Sequence, residues 1–236
     1  MSNPLPLTDR ELRALLGSFT HDLRNPLSAI VSNLDFATRV ADQHDLDPDL
    51  VESLTDSVTA CDMLRRILAN IDLLAAGDQT PEVDQEVLLL PLVDKVVQRC
   101  QAQAEQAQIS LVLTGCDEPV HARLDAANLA LAIENLIADS IVHAPSGSKV
   151  AVAIEQGERE ILVHVCDQGP AIPSELCDLA VSAEGQLSTG RRPGSRYARG
   201  AALLAARAAA ETCGGSLSLT PAGNGSRFTI AVPVRT

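Results

Sequence analysis

Aromatic side chains are nearly missing from this chain of 236 residues, which has no tryptophan, one tyrosine and three phenylalanines. A surface so poor in rings has little on which nucleobases could stack. Positive charge is also scarce, with 18 lysines and arginines against 31 aspartates and glutamates and a formal net charge of −13. That excess repels phosphate backbones and anionic membrane surfaces alike, so nucleic acid is not an expected partner. No apolar run approaches the roughly 18 residues that a membrane span takes. The opening "MSNPLPLTDREL" has neither the basic start nor the apolar stretch of a signal peptide, and the chain is expected in the cytoplasm. Six cysteines (Cys61, Cys100, Cys116, Cys166, Cys177 and Cys213) show no C-x-x-C spacing. They are expected to be small buried apolar residues rather than disulfide partners or zinc ligands.

What is present is a globular composition, 46% hydrophobic and 21% charged, with alanine and leucine carrying most of the apolar content. The apolar pattern changes along the chain. Leu23, Leu27, Ile30, Leu34, Ala37 and Ala41 alternate steps of four and three, the spacing of a coiled-coil seam. Asp47-Pro48 marks a turn and a new helix start. Leu54, Val58, Cys61, Leu64, Leu68, Ile71 and Ala75 then continue with similar spacing up to Gly77. Two seamed helices with a short connection make a helical hairpin. Alone it leaves one side of each stripe wet, so a homodimer forming a four-helix bundle is expected.

After the linker "AAGDQTPEVDQE" the periods mix. "VLLL" and "ISLVLT" read as strands around a helix "LVDKVVQRCQAQAEQ", and "DAANLALAIENLIADSIVHA" reads as a long helix with a buried face. "KVAVAIEQ" and "EILVHVCD" alternate as paired strands, "AALLAARAAAETC" is helical up to Gly214-Gly215, and "SLSLT" and "SRFTIAVPV" close the chain as strands. From Pro170 to Arg199 there is little pattern, and a loop that long is usually functional or disordered. Helices among mostly antiparallel strands imply an α/β sandwich.

Three features carry possible chemistry. In "FTHDLRNPLSAI", His21 lies off the seam and so points toward solvent, one turn before Pro26. A neutral imidazole is a good nucleophile, and the neighbouring carboxylate of Asp22 can take or orient its ring proton. Asn135 and Asp139, four apart on one helix, share a face and could hold magnesium between them. Asp167, at a strand end in "DQGPAIP", suits recognition of an amino group on a ligand base. Each feature alone also fits a solvated side chain, a capped pair or a simple turn.

Their order resembles the sensor histidine kinases of two-component systems. "FTHDLRNPLSAI" is similar to that family's phospho-accepting H box, "IENLIADSIVHAP" to its N box, "VCDQGPAIP" to its first glycine box and "RGAALLAARAAAETCGG" to its second. The resemblance covers the chain from about residue 10 to its end. It implies an α+β fold, with a dimerising phosphotransfer hairpin at 1–79 and an ATPase-like catalytic sandwich at 80–236. It implies that His21 carries the phosphoryl group, that Asp22 is its general base, and that Asn25 orients water for dephosphorylating a partner. It further implies ATP and Mg2+ as cofactors. Asn135 and Asp139 fall on the metal and phosphate positions, Asp167 on the adenine position, and His143, Gly169, Ala171 and Gly200 on the rest of the nucleotide site.

The match departs from the family pattern in the nucleotide half. Asp139 stands for a second asparagine, Val142 and His143 for a basic and an aromatic residue, and Ala171, Ala198 and Ala202 for glycines that let backbone approach phosphate. Arg191, Arg192 and Arg196 offer positive charge in the loop. Two readings follow. One is an ATP-dependent histidine autokinase that phosphorylates a response-regulator receiver domain. The other is an ATP-independent phosphotransferase or phosphatase acting through His21 and Asn25, with a pseudokinase sandwich. A non-catalytic dimeric scaffold is a third. The short segment before the H box leads us to expect the signal from a separate upstream sensor protein or through the helix around residues 8 to 17.

Overall fold

The computed structural model describes residues 8–43, 47–77, 85–115, 119–185 and 201–234. The chain divides into two compact units, Met1–Thr80 and Pro81–Thr236.

The first unit is a helical hairpin of α1 (Asp9–Gln43) and α2 (Pro48–Ala76). Thr8 and Glu11 form a capping box at the start of α1: the Glu11 carboxylate accepts the Thr8 N–H at 2.8 Å and the Thr8 hydroxyl accepts the Glu11 N–H at 3.3 Å. Asp47 caps α2 by accepting the Asp49 N–H, with Pro48 in the first turn, where its missing donor costs nothing. Gly77 ends α2 at φ 52°, its N–H bonded to the Leu73 carbonyl.

Inside the hairpin the seam is narrower than the sequence pattern predicts. Leu27, Cys61 and Leu68 are buried together, with Val31 and Leu34 against them. Leu23, Ile30 and Leu64, expected in the same stripe, are 53%, 50% and 52% exposed. The face toward α2 follows every seventh residue, Thr20, Leu27, Leu34 and Ala41. The other half of the stripe has no cover among the described residues of the hairpin.

The second unit is an α/β sandwich. Its elements are β1 (Gln85–Leu88), α3 (Leu89–Gln106), β2 (Ser110–Thr114), β3 (His121–Leu124), α4 (Ala126–His143), β4 (Lys149–Gln156), β5 (Glu160–Cys166), a 3-10 turn at Ser174–Leu176, α5 (Cys177–Ala180), α6 (Ala202–Thr212), β6 (Ser216–Ala222) and β7 (Gly225–Pro233). The main sheet runs β2-β4-β5-β7-β6. It is mixed: β2 lies parallel to β4, and the other neighbours are antiparallel.

Alternation explains the layering. Val150, Val152 and Ile154 on β4, Ile161, Val163 and Val165 on β5, and Phe228, Ile230 and Val232 on β7 are buried, while the residues between them are not. α4 packs against this face with Leu129, Ile133, Leu136 and Ile137 fully buried. Alanines at 205, 206, 209 and 210 let α6 approach α4 closely. Phe228 is the largest fully buried side chain, whereas Phe19 and Phe36 are exposed on α1.

Three expectations need correction. The "VLLL" strand is β1 ending at Leu88, because Leu89 and Leu90 already form the first turn of α3, where Pro91 is tolerated. β3 was not foreseen; its four residues make too short an alternation to stand out, and it exists by pairing antiparallel with β1. Just after Pro170 the chain forms short helices, anchored by buried Ile172, Cys177, Ala180 and Val181. The described cysteines are free thiols, all buried except half-buried Cys166. Burial pushes the Cys213 thiol up to about 11.

Candidate functional site

The hairpin presents its candidate group openly. His21, Asp22 and Asn25 are all exposed on α1. Pro26 lies inside the same helix, so the Asp22 carbonyl receives no N–H from residue 26. The residues flanking His21 are tied to α2. Thr20, only 2% exposed, has its hydroxyl between Asp72 and the Gly17 carbonyl, the latter at 2.9 Å, so that the two acceptors share its one proton. Arg24, at the other end of the turn, donates to the second oxygen of Asp72. One carboxylate therefore holds both sides of the helical turn that carries His21, while the imidazole stays in solvent. This arrangement suits a nucleophile that a second protein must reach.

The sandwich gathers its candidates at the C-terminal end of β5 and along α4. Asp167 is 5% exposed. One carboxylate oxygen accepts the Gly169 N–H at 2.9 Å and the Ser226 N–H at 3.4 Å. The other accepts the Ser140 hydroxyl at 3.1 Å. Gly225 must be glycine here, because a Cβ on it would lie 1.9 Å from the Asp167 carbonyl oxygen. Asn135 is fully buried and Asp139 is 5% exposed, both on α4 as their spacing predicts. His143 Nε2 lies 3.7 Å from the Asp139 carboxylate. The bond from Ser140 joins this stretch of α4 to Asp167. Gly169 is buried beside it, and Ala171 is exposed. Gly200, Ala198 and the arginines at 191, 192 and 196 lie outside the described residues. Just after them, Ala201 enters α6 in the left-handed region at φ 55°, a conformation that costs a residue with a Cβ about 1 kcal/mol.

Residues 11–80 match the family model of the His Kinase A (phospho-acceptor) domain. Residues 124–236 match that of the histidine kinase-, DNA gyrase B- and HSP90-like ATPase. Together the two span most of the sequence. The chain belongs to the sensor histidine kinases. It is 26% identical over 94% of its length to the probable sensor histidine kinase TcrY of Mycobacterium tuberculosis, covering 46% of that protein. Among solved structures it is similar to the Acinetobacter baumannii histidine kinase AdeS (20% identity, 92% of this chain and 98% of that one, TM-score 0.56). It is also similar to full-length ShkA, solved in complex with AMPPNP (17% identity, 94% of this chain and 46% of that one, TM-score 0.63). The chain spans between 24% and 57% of the length of the curated relatives compared with it. No helix among its described residues is long and apolar enough to cross a membrane.

Four residues that hold the candidate groups in place were passed over by sequence reasoning. Thr20 and Asp72 look unremarkable in a polar helix sequence, since only the hairpin register brings position 72 beside positions 20 and 24. Ser140 and Ser226 carry a faint signal at most. A serine within "ENLIADSIVHA" breaks an apolar face, and "GNGS" puts a hydroxyl directly after a turn.

Proposed function

We propose that the chain is an ATP-dependent histidine autokinase that phosphorylates His21 and passes the phosphoryl group to an aspartate of a response-regulator receiver domain. The observation that carries this reading is the exposed His21–Asp22 pair on a helical turn pinned at both ends, in a chain whose other unit is an ATPase-family sandwich with a buried, fully oriented carboxylate.

The donor set fits the nucleotide and its metal. A carboxylate only accepts hydrogen bonds, so Asp167 selects a ligand that presents a donor, as the amino group of adenine does. Asn135 and Asp139 supply hard oxygen atoms. Magnesium needs few of these, because it keeps waters and binds substrate phosphates. His143 adjoins Asp139 and Gly169 adjoins Asp167, while Ala171 and Gly200 are assigned to the nucleotide site by the resemblance alone. ATP bound with magnesium supplies an activated phosphoryl group whose charge the metal offsets.

The rest of the chemistry belongs to the chain. A ring nitrogen of His21 attacks the γ-phosphorus; the N–P bond forms as the P–O bond to the β-phosphate breaks and ADP leaves. Asp22 takes or orients the proton on the imidazole. An attacking aspartate of the receiver then displaces His21 and carries the phosphoryl group away. Asn25, one turn on, orients water when the reverse task, dephosphorylating the receiver, is performed. The exposed half of the α1 stripe supports a homodimer as the working form, and dependence on ATP supports a cytoplasmic reaction.

The test is incubation of the purified chain with radiolabelled ATP and magnesium beside a His21→Ala variant. Acid-labile, alkali-stable label that disappears in the variant is expected. Nucleotide binding without label on His21 would overturn the autokinase reading.

A further inference from the structure

We propose that Ser140 is a positioning residue for nucleobase selection: it fixes the plane of the Asp167 carboxylate so that the site accepts a base bearing an amino donor and rejects one bearing a carbonyl. The inference rests on the ATP reading above and adds to it a residue that never needs to touch the base.

Ser140 is fully buried on α4 among Ile133, Leu136, Ile137 and Ile141, all at or near zero exposure. A hydroxyl in such surroundings is costlier than a methyl group unless it finds a partner. The cheap partner for a serine inside a helix is the carbonyl four residues back. Ser140 instead donates across to Asp167, 27 residues further along the chain, at 3.1 Å.

The two oxygens of Asp167 thus have holders of different kinds. Oδ1 is gripped by main chain, the N–H groups of Gly169 and Ser226. Oδ2 receives the side chain of Ser140. The last torsion of an aspartate is broad and two-fold, so contacts on one oxygen leave the plane free to rock. A donor on the second oxygen removes that freedom. A fixed acceptor discriminates sharply between a ligand donor and a ligand acceptor, because an acceptor placed against it leaves two buried oxygens facing each other. A rocking carboxylate can turn aside and discriminates less.

The experiment titrates ATP and GTP, each with magnesium, into the wild-type chain and into Ser140→Ala, Ser140→Cys and Ser140→Thr, and follows amide exchange in the nucleotide-free proteins. For Ser140→Ala we expect ATP to bind about fivefold more weakly while GTP is unchanged, so that the preference for ATP falls by the same factor. Ser140→Cys, of similar shape but a weak donor, should behave like the alanine variant. Ser140→Thr should keep the wild-type preference. Without nucleotide, the amides of Gly169 and Ser226 should exchange faster in the alanine variant while those of α4 do not change. A wild-type chain that binds ATP alongside an alanine variant of unchanged preference would overturn the role of Ser140. Equal loss of ATP and GTP with faster exchange throughout α4 would also overturn it, leaving a merely structural serine. A wild-type chain that binds neither nucleotide would sink the ATP reading itself, and the proposal with it.

Discussion

At the scale of single residues, the hairpin shows which of two bonds to one carboxylate matters more. Asp72 accepts from Arg24 and from Thr20. The Arg24 side chain is 54% exposed and that of Asp72 29%, so their ion pair is largely screened and contributes at most about 1 kcal/mol. The Thr20 hydroxyl is buried, and a hydrogen bond from it to a charged acceptor contributes about 1.5–3 kcal/mol. Asp72→Asn retains an acceptor for Thr20 and loses the charge; Asp72→Ala loses both. The asparagine variant should therefore melt within a few degrees of wild type, and the alanine variant clearly lower, by about 2 kcal/mol in denaturant unfolding. Equal losses in the two variants would mean that the ion pair dominates.

At the scale of elements, Pro26 weakens α1 beside the proposed phospho-accepting His21. In α1 it removes the N–H that would bond the Asp22 carbonyl, in the very turn that holds His21. Proline inside a helix costs up to about 3 kcal/mol relative to alanine. Pro26→Ala should raise the melting temperature of the chain, and a variant that melts no higher would show the helix already relaxed around the ring. Elements also mark how far the sequence could be read. The long helices, β4 and β5 were legible because each repeats its period several times: β4 buries Val150, Val152 and Ile154 in strict alternation. His21, Asp22, Asn25, Asn135, Asp139 and Asp167 could be named as candidates because they sit in motifs of fixed spacing. β3 was not legible, because four residues repeat no period and only the partner strand β1 defines them. Asp72, Ser140 and Ser226 were not, because each acts on a residue distant in sequence, through a contact that exists only after folding.

At the scale of the whole molecule, the hairpin carries two parallel rows on α1, each recurring at every seventh residue. Thr20, Leu27, Leu34 and Ala41 face α2, and Leu27 is 9% exposed. Leu16, Leu23 and Ile30 form the second row, at 36%, 53% and 50% exposed, with Leu12 and Phe19 extending the patch. Leaving several large apolar side chains half in water forfeits about 1 kcal/mol or more for each. A second copy laid against this row would recover most of that and complete a four-helix bundle. The charge works against association, because each chain brings −13 to the pair. The dimer should therefore tighten as salt screens that repulsion. Replacing Leu23 and Ile30 together by glutamate puts charge into the apolar row and adds to the repulsion. Neither side chain is part of the buried core of the hairpin, so the monomer should remain folded. Sedimentation at rising salt is expected to show a dimer for the wild-type chain and a monomer for the double variant, each with the same helical circular dichroism. A double variant that still sediments as a dimer would place the interface elsewhere on the molecule.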